Sequence, residues 1–274
     1  KVGTKSDNFS ITQINNREDL LVIDSSGMGI RIPVSSFPDM NVEDTGVELS
    51  RYFKCTGRVI TVMKLPSPKM LKEKNNNVCI TLVTKLGYIK RVKLSEFKGI
   101  SEPRPSITLT DGDELVSAMF TVEDEERDII VFTNLGRGIR LSVNDIRIYG
   151  KTAKGLNYIS LCEDEYVINA NLIEVNRKTL FYLTTSGRVK ITQEKYFPRM
   201  ERKDEPLQLI TLEKNDSLFY VASVNHKKDI VRVYFKTREP EDYKLDSLEM
   251  SMRKSRGEKL IKVPRGEAII SVKV

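Results

Sequence analysis

The sequence contains no tryptophan and a single histidine, His226, among its 274 residues. It therefore lacks the Trp-Asp signature of WD40 repeats, and it cannot build a multi-histidine metal site or an H-E-x-x-H motif. Its three cysteines, Cys55, Cys79 and Cys162, lie far apart and form no C-x-x-C pair. We therefore expect reduced thiols in a cytoplasmic protein rather than a disulfide framework.

Long apolar runs are also missing. The longest, such as Asp128–Phe132, are far too short to cross a bilayer, so we expect no membrane association. No basic segment followed by an apolar stretch opens the chain, which argues against a signal peptide. Because the first residue is Lys rather than Met, we expect the chain to begin at a domain boundary inside a longer protein.

Charge is plentiful but unevenly distributed. The net charge is +7 and the pI about 9.1. Residues 111–128 carry eight acids and one base, whereas residues 85–104 carry six bases and two acids, and residues 253–265 carry six bases and one acid. Such segregation predicts distinct electrostatic faces, of which the basic ones attract polyanions.

The main signal is an internal repeat. Four segments share an apolar β-type run, a polar pair, a glycine and a basic alternating strand. The glycines are Gly27, Gly87, Gly136 and Gly187. They are separated by 60, 49 and 51 residues (87 − 27, 136 − 87, 187 − 136). A second marker, an acid at a turn before an apolar strand, recurs at Asp113, Asp164, Asp216 and Glu267, separated by 51, 52 and 51 residues (164 − 113, 216 − 164, 267 − 216). Two markers with one period of about 50 residues predict a propeller-like ring of β-blades.

We therefore predict one all-β domain over residues 1–274, with about five four-stranded blades. The predicted repeat units are residues 16–66, 77–121, 128–173, 179–224 and 229–274. The fifth hairpin, Ile230–Glu249, lacks a turn glycine, and Phe9–Asn15 is a lone strand that we expect to close the ring. An added loop at Pro66–Asn77 explains the 60-residue gap. Beyond short turns at Ser142–Ile146 and Ser95–Phe97, no sustained helical period is visible.

Basic residues follow each turn glycine, which predicts a basic belt on the outer rim of the ring. A cation repeated in every blade suits a polymer with regularly spaced charge, such as DNA, better than a point ligand. The candidate DNA contacts on the hairpins are Arg31, Lys90, Arg91, Arg137, Arg140, Arg188 and Lys190.

The hairpin Val83–Phe97, the hairpin Phe132–Arg147 and the connection Gly150–Gly155, which reads Gly-Lys-Thr-Ala-Lys-Gly, resemble the C-terminal domains of bacterial type IIA topoisomerase A subunits. Residues 109–120 are similar to the inter-blade strand of that family. The resemblance implies a β-pinwheel with exchanged strands that bends duplex DNA and presents it to the strand-passage core. It adds Lys151 and Lys154 to the candidate DNA contacts.

The resemblance also implies the partners. They are double-stranded DNA and, in a heterotetramer, the ATPase B subunit together with the catalytic core of the A subunit. The isolated domain is expected to be monomeric. No cofactor is expected in this domain, whereas ATP and Mg²⁺ are expected in the holoenzyme. The strand-passing tyrosine is expected in a different domain.

One departure from the family bears on its subtype. Gyrase A subunits carry a basic Q-R-R-G-G-K-G box in the first blade, whereas residues 41–50 of this chain read NVEDTGVELS, which is acidic. This favours a topoisomerase IV-like role, with a divergent gyrase as the alternative. Outside this family, the alternatives are a protein-interaction propeller that binds an acidic partner and, more remotely, a hydrolase or lyase propeller.

No catalytic constellation is apparent. The Gly27-Met-Gly29 and Gly136-Arg-Gly138 pairs lack a third glycine and a following helix, so they are interpreted as hairpin turns rather than phosphate-binding loops. The paired acids Asp111/Asp113 and Asp164/Glu165 recur once per blade and are interpreted as structural turn residues. His226 is expected to lie in a turn.

Overall fold

The computed structural model describes residues 14–41, 46–54, 56–74, 77–97, 99, 102–173 and 178–274. Its strands in chain order are β1 (Asp19–Asp24), β2 (Met28–Pro33), β3 (Val59–Lys64), β4 (Val78–Thr84), β5 (Tyr88–Lys93), β6 (Arg104–Pro105), β7 (Leu115–Val122), β8 (Asp128–Thr133), β9 (Arg137–Ser142), β10 (Leu156–Asn157), β11 (Val167–Leu172), β12 (Thr179–Thr184), β13 (Arg188–Gln193), β14 (Leu207–Gln208), β15 (Leu218–Val224), β16 (Ile230–Phe235), β17 (Glu241–Lys244), β18 (Glu258–Lys259) and β19 (Ile269–Lys273). One short α-helix, α1 (Pro68–Glu73), and the 3-10 turns Val34–Ser36, Leu49–Arg51, Leu94–Phe97, Val143–Asp145 and Glu194–Tyr196 complete the described elements.

The described strands form five sheets, here called blades 1 to 5. Their strand orders are β3-β1-β2-β6, β10-β5-β4-β7, β11-β8-β9-β14, β15-β12-β13-β18 and β17-β16-β19. The strands pair antiparallel with their neighbours in each blade. The prediction of an all-β fold built from repeated blades is therefore confirmed.

The fourth strand of each of blades 1 to 4 comes from the following repeat. β6 follows β5 in the chain but pairs with β2, and β10 follows β9 but pairs with β5. In the same way, β14 pairs with β9, and β18 pairs with β13. This is the strand exchange that the family resemblance implied, and it lays the connection before each short strand against the preceding hairpin.

The described residues fall into two compact units. One lies within Thr12–Arg127 and Ser142–Tyr158 and contains blades 1 and 2; the other lies within Asp128–Leu141 and Ile159–Val274 and contains blades 3, 4 and 5. In the first unit, Leu21, Ile80 and Phe97 belong to one buried cluster. Strands β4, β8 and β12 are buried along their whole length, which explains why they read as continuous apolar runs rather than alternating ones.

The turn glycines perform the predicted role. Gly27, Gly87, Gly136 and Gly187 have φ values of 73° to 87°, a left-handed conformation that glycine adopts without steric penalty. The amide of each donates to the carbonyl three residues earlier at 3.0 Å, which closes the hairpin turn. The Gly-x-Gly pairs are accordingly turns, as predicted.

The acidic marker also has a structural role. Asp113 Oδ1 accepts a hydrogen bond from the Leu86 amide at 2.9 Å, and Asp216 Oδ1 accepts one from the Ser186 amide at 2.9 Å. Each carboxylate thus fixes the hairpin turn of its own blade to the incoming strand. The interpretation of the recurring acids as turn residues is confirmed for these two blades.

Two local details differ from the sequence prediction. The loop at Pro66–Asn77 contains α1, whose start is set by Ser67: its Oγ accepts a hydrogen bond from the Met70 amide at 3.2 Å. The fifth blade has three strands among the described residues, and most of the expected closing strand Phe9–Asn15 lies outside them. His226 lies in a turn, as expected, and its Nε2 is 3.1 Å from the Leu248 carbonyl oxygen.

Candidate nucleic-acid interface

The basic residues after each turn glycine occupy three different positions of the hairpin. Counting from the residue directly after the glycine, Arg137 and Arg188 are at hairpin position 1, Lys90 and Lys190 at position 3, and Arg31, Arg91 and Arg140 at position 4. These three positions differ in burial and in bonding partners, so the residues do not form the uniform belt that was predicted.

At hairpin position 1, the arginines are paired with carboxylates of their own blade. Arg137 Nε donates to Glu165 Oε1 at 2.9 Å, and the Glu165 side chain is fully buried. Burial raises the pKa of Glu165, but hydrogen bonds from Arg137, the Cys162 amide and Thr133 outweigh burial and leave it below its ordinary value. Arg188 pairs with Glu213. Both guanidinium charges are therefore largely neutralised within the protein.

At hairpin position 3, the predicted solvent exposure is wrong. Lys90 is 0% exposed and Lys190 is 2% exposed. The Lys90 ammonium donates to the carbonyl oxygens of Gly150, Lys151 and Ala153 at 2.9, 2.8 and 2.7 Å. Burial lowers the pKa of Lys90 to about 8, with the Glu96 carboxylate opposing the shift. In this structure the Lys90 ammonium is therefore bonded to backbone carbonyls rather than presented to solvent.

At hairpin position 4, one residue is buried and two form ion pairs. Arg91 is 6% exposed, and its Nε donates to the Ile146 carbonyl oxygen at 2.7 Å, so its expected solvent exposure is also wrong. Arg31 Nε donates to Asp19 Oδ2 and Arg140 Nε to Asp128 Oδ2, each at 2.6 Å. The Arg31 side chain nevertheless keeps 36% of its surface exposed.

The two lysines that the family resemblance added lie on the surface of the connection before β10. Lys151 Nζ donates to the Glu96 carbonyl oxygen at 2.8 Å, and Lys154 Nζ lies 4.6 Å from the centre of the Tyr88 ring. Both side chains are half-buried. Of the nine predicted contacts, Lys90, Arg91 and Lys190 are buried, and the other six are half-buried.

Equivalent connections in the next two repeats carry further bases that the sequence prediction omitted. Arg202 and Arg253 follow Lys151 at intervals of 51 residues (202 − 151, 253 − 202), and Lys203, Lys254 and Arg256 are exposed beside them. Arg199, 55% exposed, also lies before β14. The sequence contained a signal for these bases, since segment 253–265 is strongly basic and Arg253 lies two repeat lengths after Lys151. These bases lie outside the repeated hairpins and outside the one connection, residues 150–155, from which the candidate contacts were predicted.

Within the described residues, no group of three or more His, Cys, Asp or Glu side chains is arranged to hold a metal ion. In the same residues, no helix is long and apolar enough to cross a membrane. Basic side chains recur on the connections at 51-residue intervals along the chain, at Lys151, Arg202 and Arg253.

The chain matches the model of the family described as DNA gyrase C-terminal domain, beta-propeller, over residues 18–47, 80–121, 127–174, 178–225 and 244–274. It is 26% identical over 206 residues to the A subunit of DNA topoisomerase 4 from Bacillus subtilis (strain 168), a match that covers 74% of this chain and 25% of that protein. It is 30% identical over 178 residues to the A subunit of DNA gyrase from Streptococcus pyogenes serotype M1, a match that covers 62% of this chain and 21% of that protein.

Two solved structures share the fold. A crystal structure of the C-terminal domain of DNA topoisomerase IV superposes with a TM-score of 0.86 at 20% identity, covering 99% of this chain and 84% of the other. A structure of a DNA gyrase A C-terminal domain gives a TM-score of 0.75 at 16% identity, covering 97% and 88%. The chain spans about a quarter of the length of the curated relatives it matches.

Proposed function

Because the chain belongs to the family of DNA gyrase C-terminal β-propeller domains, we propose that it is the DNA-binding part of a bacterial type IIA topoisomerase A subunit. It binds duplex DNA through phosphate contacts, bends it, and presents a segment to the strand-passage core. Its contribution to the reaction is non-catalytic, and strand passage is carried out by other domains of the assembled enzyme.

The observation that supports DNA binding most directly is the periodic presentation of bases on the connections. Residues 150–155 carry two bases and no acid, and residues 252–257 carry three bases and no acid. The hairpin arginines, by contrast, are mostly paired with acids inside the blade. Since affinity for DNA comes chiefly from phosphates neutralised by Lys and Arg, the connections are the proposed contact surface. Contacts to phosphate carry no base information, so binding is expected to be insensitive to sequence.

The finer subtype is proposed from blade 1. The acidic sequence at residues 41–50 offers no counterpart of the gyrase box, which supports a topoisomerase IV-like preference for relaxation and decatenation. An assay of the assembled enzyme with ATP and the B subunit distinguishes the subtypes. Negative supercoiling of relaxed plasmid would overturn the proposal in favour of a divergent gyrase.

The remaining partners follow from the same proposal. The domain acts in a heterotetramer with the A-subunit core and the ATPase B subunit, near the nucleoid in the cytoplasm, and is monomeric when isolated. ATP and Mg²⁺ would be bound by those other parts. Size-exclusion chromatography of the isolated domain with light scattering tests the monomeric state.

The test of DNA binding is a titration of a duplex of about 40 base pairs over a series of salt concentrations, with end-to-end FRET to report bending. Log K should fall linearly with log salt, at about 0.9 per neutralised phosphate. Replacing Lys151 and Lys154 by Gln, or Lys254 and Arg256 by Gln, should each flatten the slope by roughly 1 to 2.

A matched control removes the same charge elsewhere. Lys227→Gln with Lys228→Gln changes two exposed bases on the turn after β15 and should leave the slope within about 0.5 of wild type. If the three double variants behave alike, the connections are not the contact surface. If wild type binds duplex DNA weakly even at low salt, the DNA-binding proposal fails. A protein-interaction propeller with an acidic partner would then be the leading alternative.

A further inference from the structure

Blades 2 and 4 differ from blades 1 and 3 at hairpin position 3. Blades 2 and 4 have lysine there, Lys90 and Lys190, whereas blades 1 and 3 have Ile30 and Ile139. All four side chains are at most 3% exposed. Placing an ammonium group where the sister blades place an aliphatic side chain is energetically costly unless the charge has dedicated partners.

The partners are backbone carbonyl groups, mostly of the connection that crosses each hairpin; for Lys190, one of the three belongs to Leu209, directly after β14. Three carbonyl oxygens of residues 150, 151 and 153 accept from Lys90 at 2.7 to 2.9 Å. Lys190 donates to the carbonyls of Leu209, Arg253 and Ser255, of which the first is at 2.6 Å and the last at 3.4 Å. An ammonium group has three donors, so each lysine is fully satisfied by backbone.

The connection itself changes together with the lysine. In blades 2 and 4 the residue before the exchanged strand is glycine, Gly155 or Gly257, with φ of +87° and +73°. A Cβ on Gly155 would lie 2.7 Å from the Ile89 carbonyl oxygen and 3.0 Å from Lys90 Cβ, so the connection can approach the lysine only at glycine. In blades 1 and 3 the same position is Pro103 or Pro206.

The net charge of the connection follows the same division. Residues 150–155 have a net charge of +2 and residues 252–257 of +3, because neither contains an acid. The proline-containing counterparts read KGISEP at 98–103 and ERKDEP at 201–206, with net charges of 0 (one base, one acid) and −1 (two bases, three acids). Three features therefore occur together in blades 2 and 4: lysine at hairpin position 3, glycine before the exchanged strand, and a basic connection without acids. The sequences of blades 1 and 3 have none of the three.

We propose that Lys90 and Lys190 are positioning residues that hold connections 150–155 and 252–257 in the conformation that binds DNA phosphates, so that DNA contact is concentrated on blades 2 and 4. The inference rests on the proposed DNA-binding function and deepens it. The buried ammonium groups take up carbonyl oxygens that would otherwise repel phosphate. They also order the connection before DNA arrives, which reduces the entropy lost on binding.

The test uses Lys90→Ile and Lys190→Ile, because isoleucine is the residue that sister blades accept at this position. Hydrogen exchange of residues 150–155 and 252–257 is measured without DNA, and duplex affinity is measured across the salt series. We expect about tenfold faster exchange confined to the connection of the altered blade, and a Kd roughly five- to tenfold weaker. The salt slope should stay within about 0.5 of wild type, since the outward cations remain.

A weaker Kd with an unchanged salt slope identifies a positioning residue. Loss of a direct phosphate contact, as in Lys151→Gln with Lys154→Gln, should flatten the salt slope instead. The double variant Lys90→Ile with Gly155→Pro reproduces the isoleucine–proline combination that blades 1 and 3 have at these two positions. It controls for a loss of affinity that is caused only by misfolding of Lys90→Ile. It should recover thermal stability relative to Lys90→Ile while DNA affinity stays reduced. Unchanged Kd in folded Lys90→Ile, or wild-type affinity in the double variant, would overturn the inference. A wild-type domain that fails to bind DNA would instead overturn the proposed function.

Discussion

Among single residues, the decisive property is where each basic side chain finds its hydrogen-bond partners. Lys90 and Arg91 look like solvent-facing strand residues in the sequence, because they lie in an alternating basic segment after a turn. Both are buried by the connection around residues 146–153, roughly 60 positions further along the chain. A local pattern carries no information about such a distant contact, so the sequence predicted the basic residues but not their burial.

The Arg137–Glu165 pair gives a direct test at this scale. Glu165→Gln should destabilise the protein by about 2–3 kcal/mol at pH 7. This is less than the roughly 3–5 kcal/mol for breaking a buried ion pair, because Arg137 keeps a 3.6 Å contact with the exposed Glu205 carboxylate. The folded-state pKa of Glu165 lies below its ordinary value, so its contribution is present above that ordinary value and is lost as pH falls through the folded pKa. Urea unfolding at pH 7 and pH 3 should show the penalty shrinking. Exposed Glu163→Gln is the control, and equal effects of the two substitutions would contradict the prediction.

Lys190 should show a pH dependence of the same sign as Glu165, but in an alkaline range. Burial and then the neighbouring Arg253 guanidinium lower its pKa to about 7, and the buried Tyr182 ring lies 5.5 Å from its Nζ. Between this value and the unfolded value of about 10.5, the unfolded chain binds more protons, so the stability contributed by Lys190 rises with pH. The destabilisation caused by Lys190→Ile should therefore be larger at pH 10 than at pH 7.

Urea unfolding of wild type and variant at both pH values measures this difference. Exposed Lys228→Gln should show no such growth. A Lys190→Ile penalty that is constant or decreases with pH would mean that the lysine keeps an ordinary pKa in the folded protein.

At the scale of elements, the hairpins were predictable because their signals are local. The turn glycines, the apolar first strands and the acidic marker appear in the sequence at the same spacing as in the structure. The short exchanged strands β6, β10, β14 and β18 were not predictable from pattern, since two-residue pairings carry no periodicity. Only the family resemblance implied them. Helix α1 was overlooked although Ser67 followed by Pro68 is a helix-start sequence.

The connection before β18 should be sensitive to an added methyl group. A Cβ on Gly257 would lie 2.3 Å from the Val189 carbonyl oxygen, and its φ is +73°. Gly257→Ala should therefore cost about 3 kcal/mol and loosen the pairing of β18 with β13. Gly266 has φ of +88°, but an added methyl group there would meet no atom within 4 Å, so Gly266→Ala isolates the backbone penalty of about 1–2 kcal/mol.

Urea unfolding compares the two variants, and hydrogen exchange at Glu258 and Lys259 reports the strand. Equal penalties for Gly257→Ala and Gly266→Ala, with unchanged exchange at β18, would show that the close approach of the connection to β13 is not required.

At the scale of the whole chain, the repeat period was sufficient to predict the fold class, because each repeat is one blade and the blades share a pattern. The distribution of charge predicts a polyanion partner, which stays a prediction, and it did not indicate the side chains that are now proposed to meet it. The accessible bases lie on connections whose placement depends on strand exchange between repeats. For locating the proposed DNA contacts, the net charge of +7 on the whole chain is therefore less informative than the net charges of +2 on connection 150–155 and +3 on connection 252–257.

If the domain bends DNA, its affinity must include the cost of deforming the duplex. Smooth bending of a 20–30 base-pair site by 40–90° costs on the order of 1–6 kcal/mol. A duplex of about 40 base pairs with two short single-stranded gaps is easier to bend, so it should compete at least several-fold better than the intact duplex of the same sequence. Exchanging AT-rich for GC-rich sequence in the intact duplex should matter less than the gaps, because the proposed contacts are to phosphates. Equal affinity for gapped and intact duplexes would mean that DNA lies straight on the basic connections, and the domain would then hold DNA without bending it.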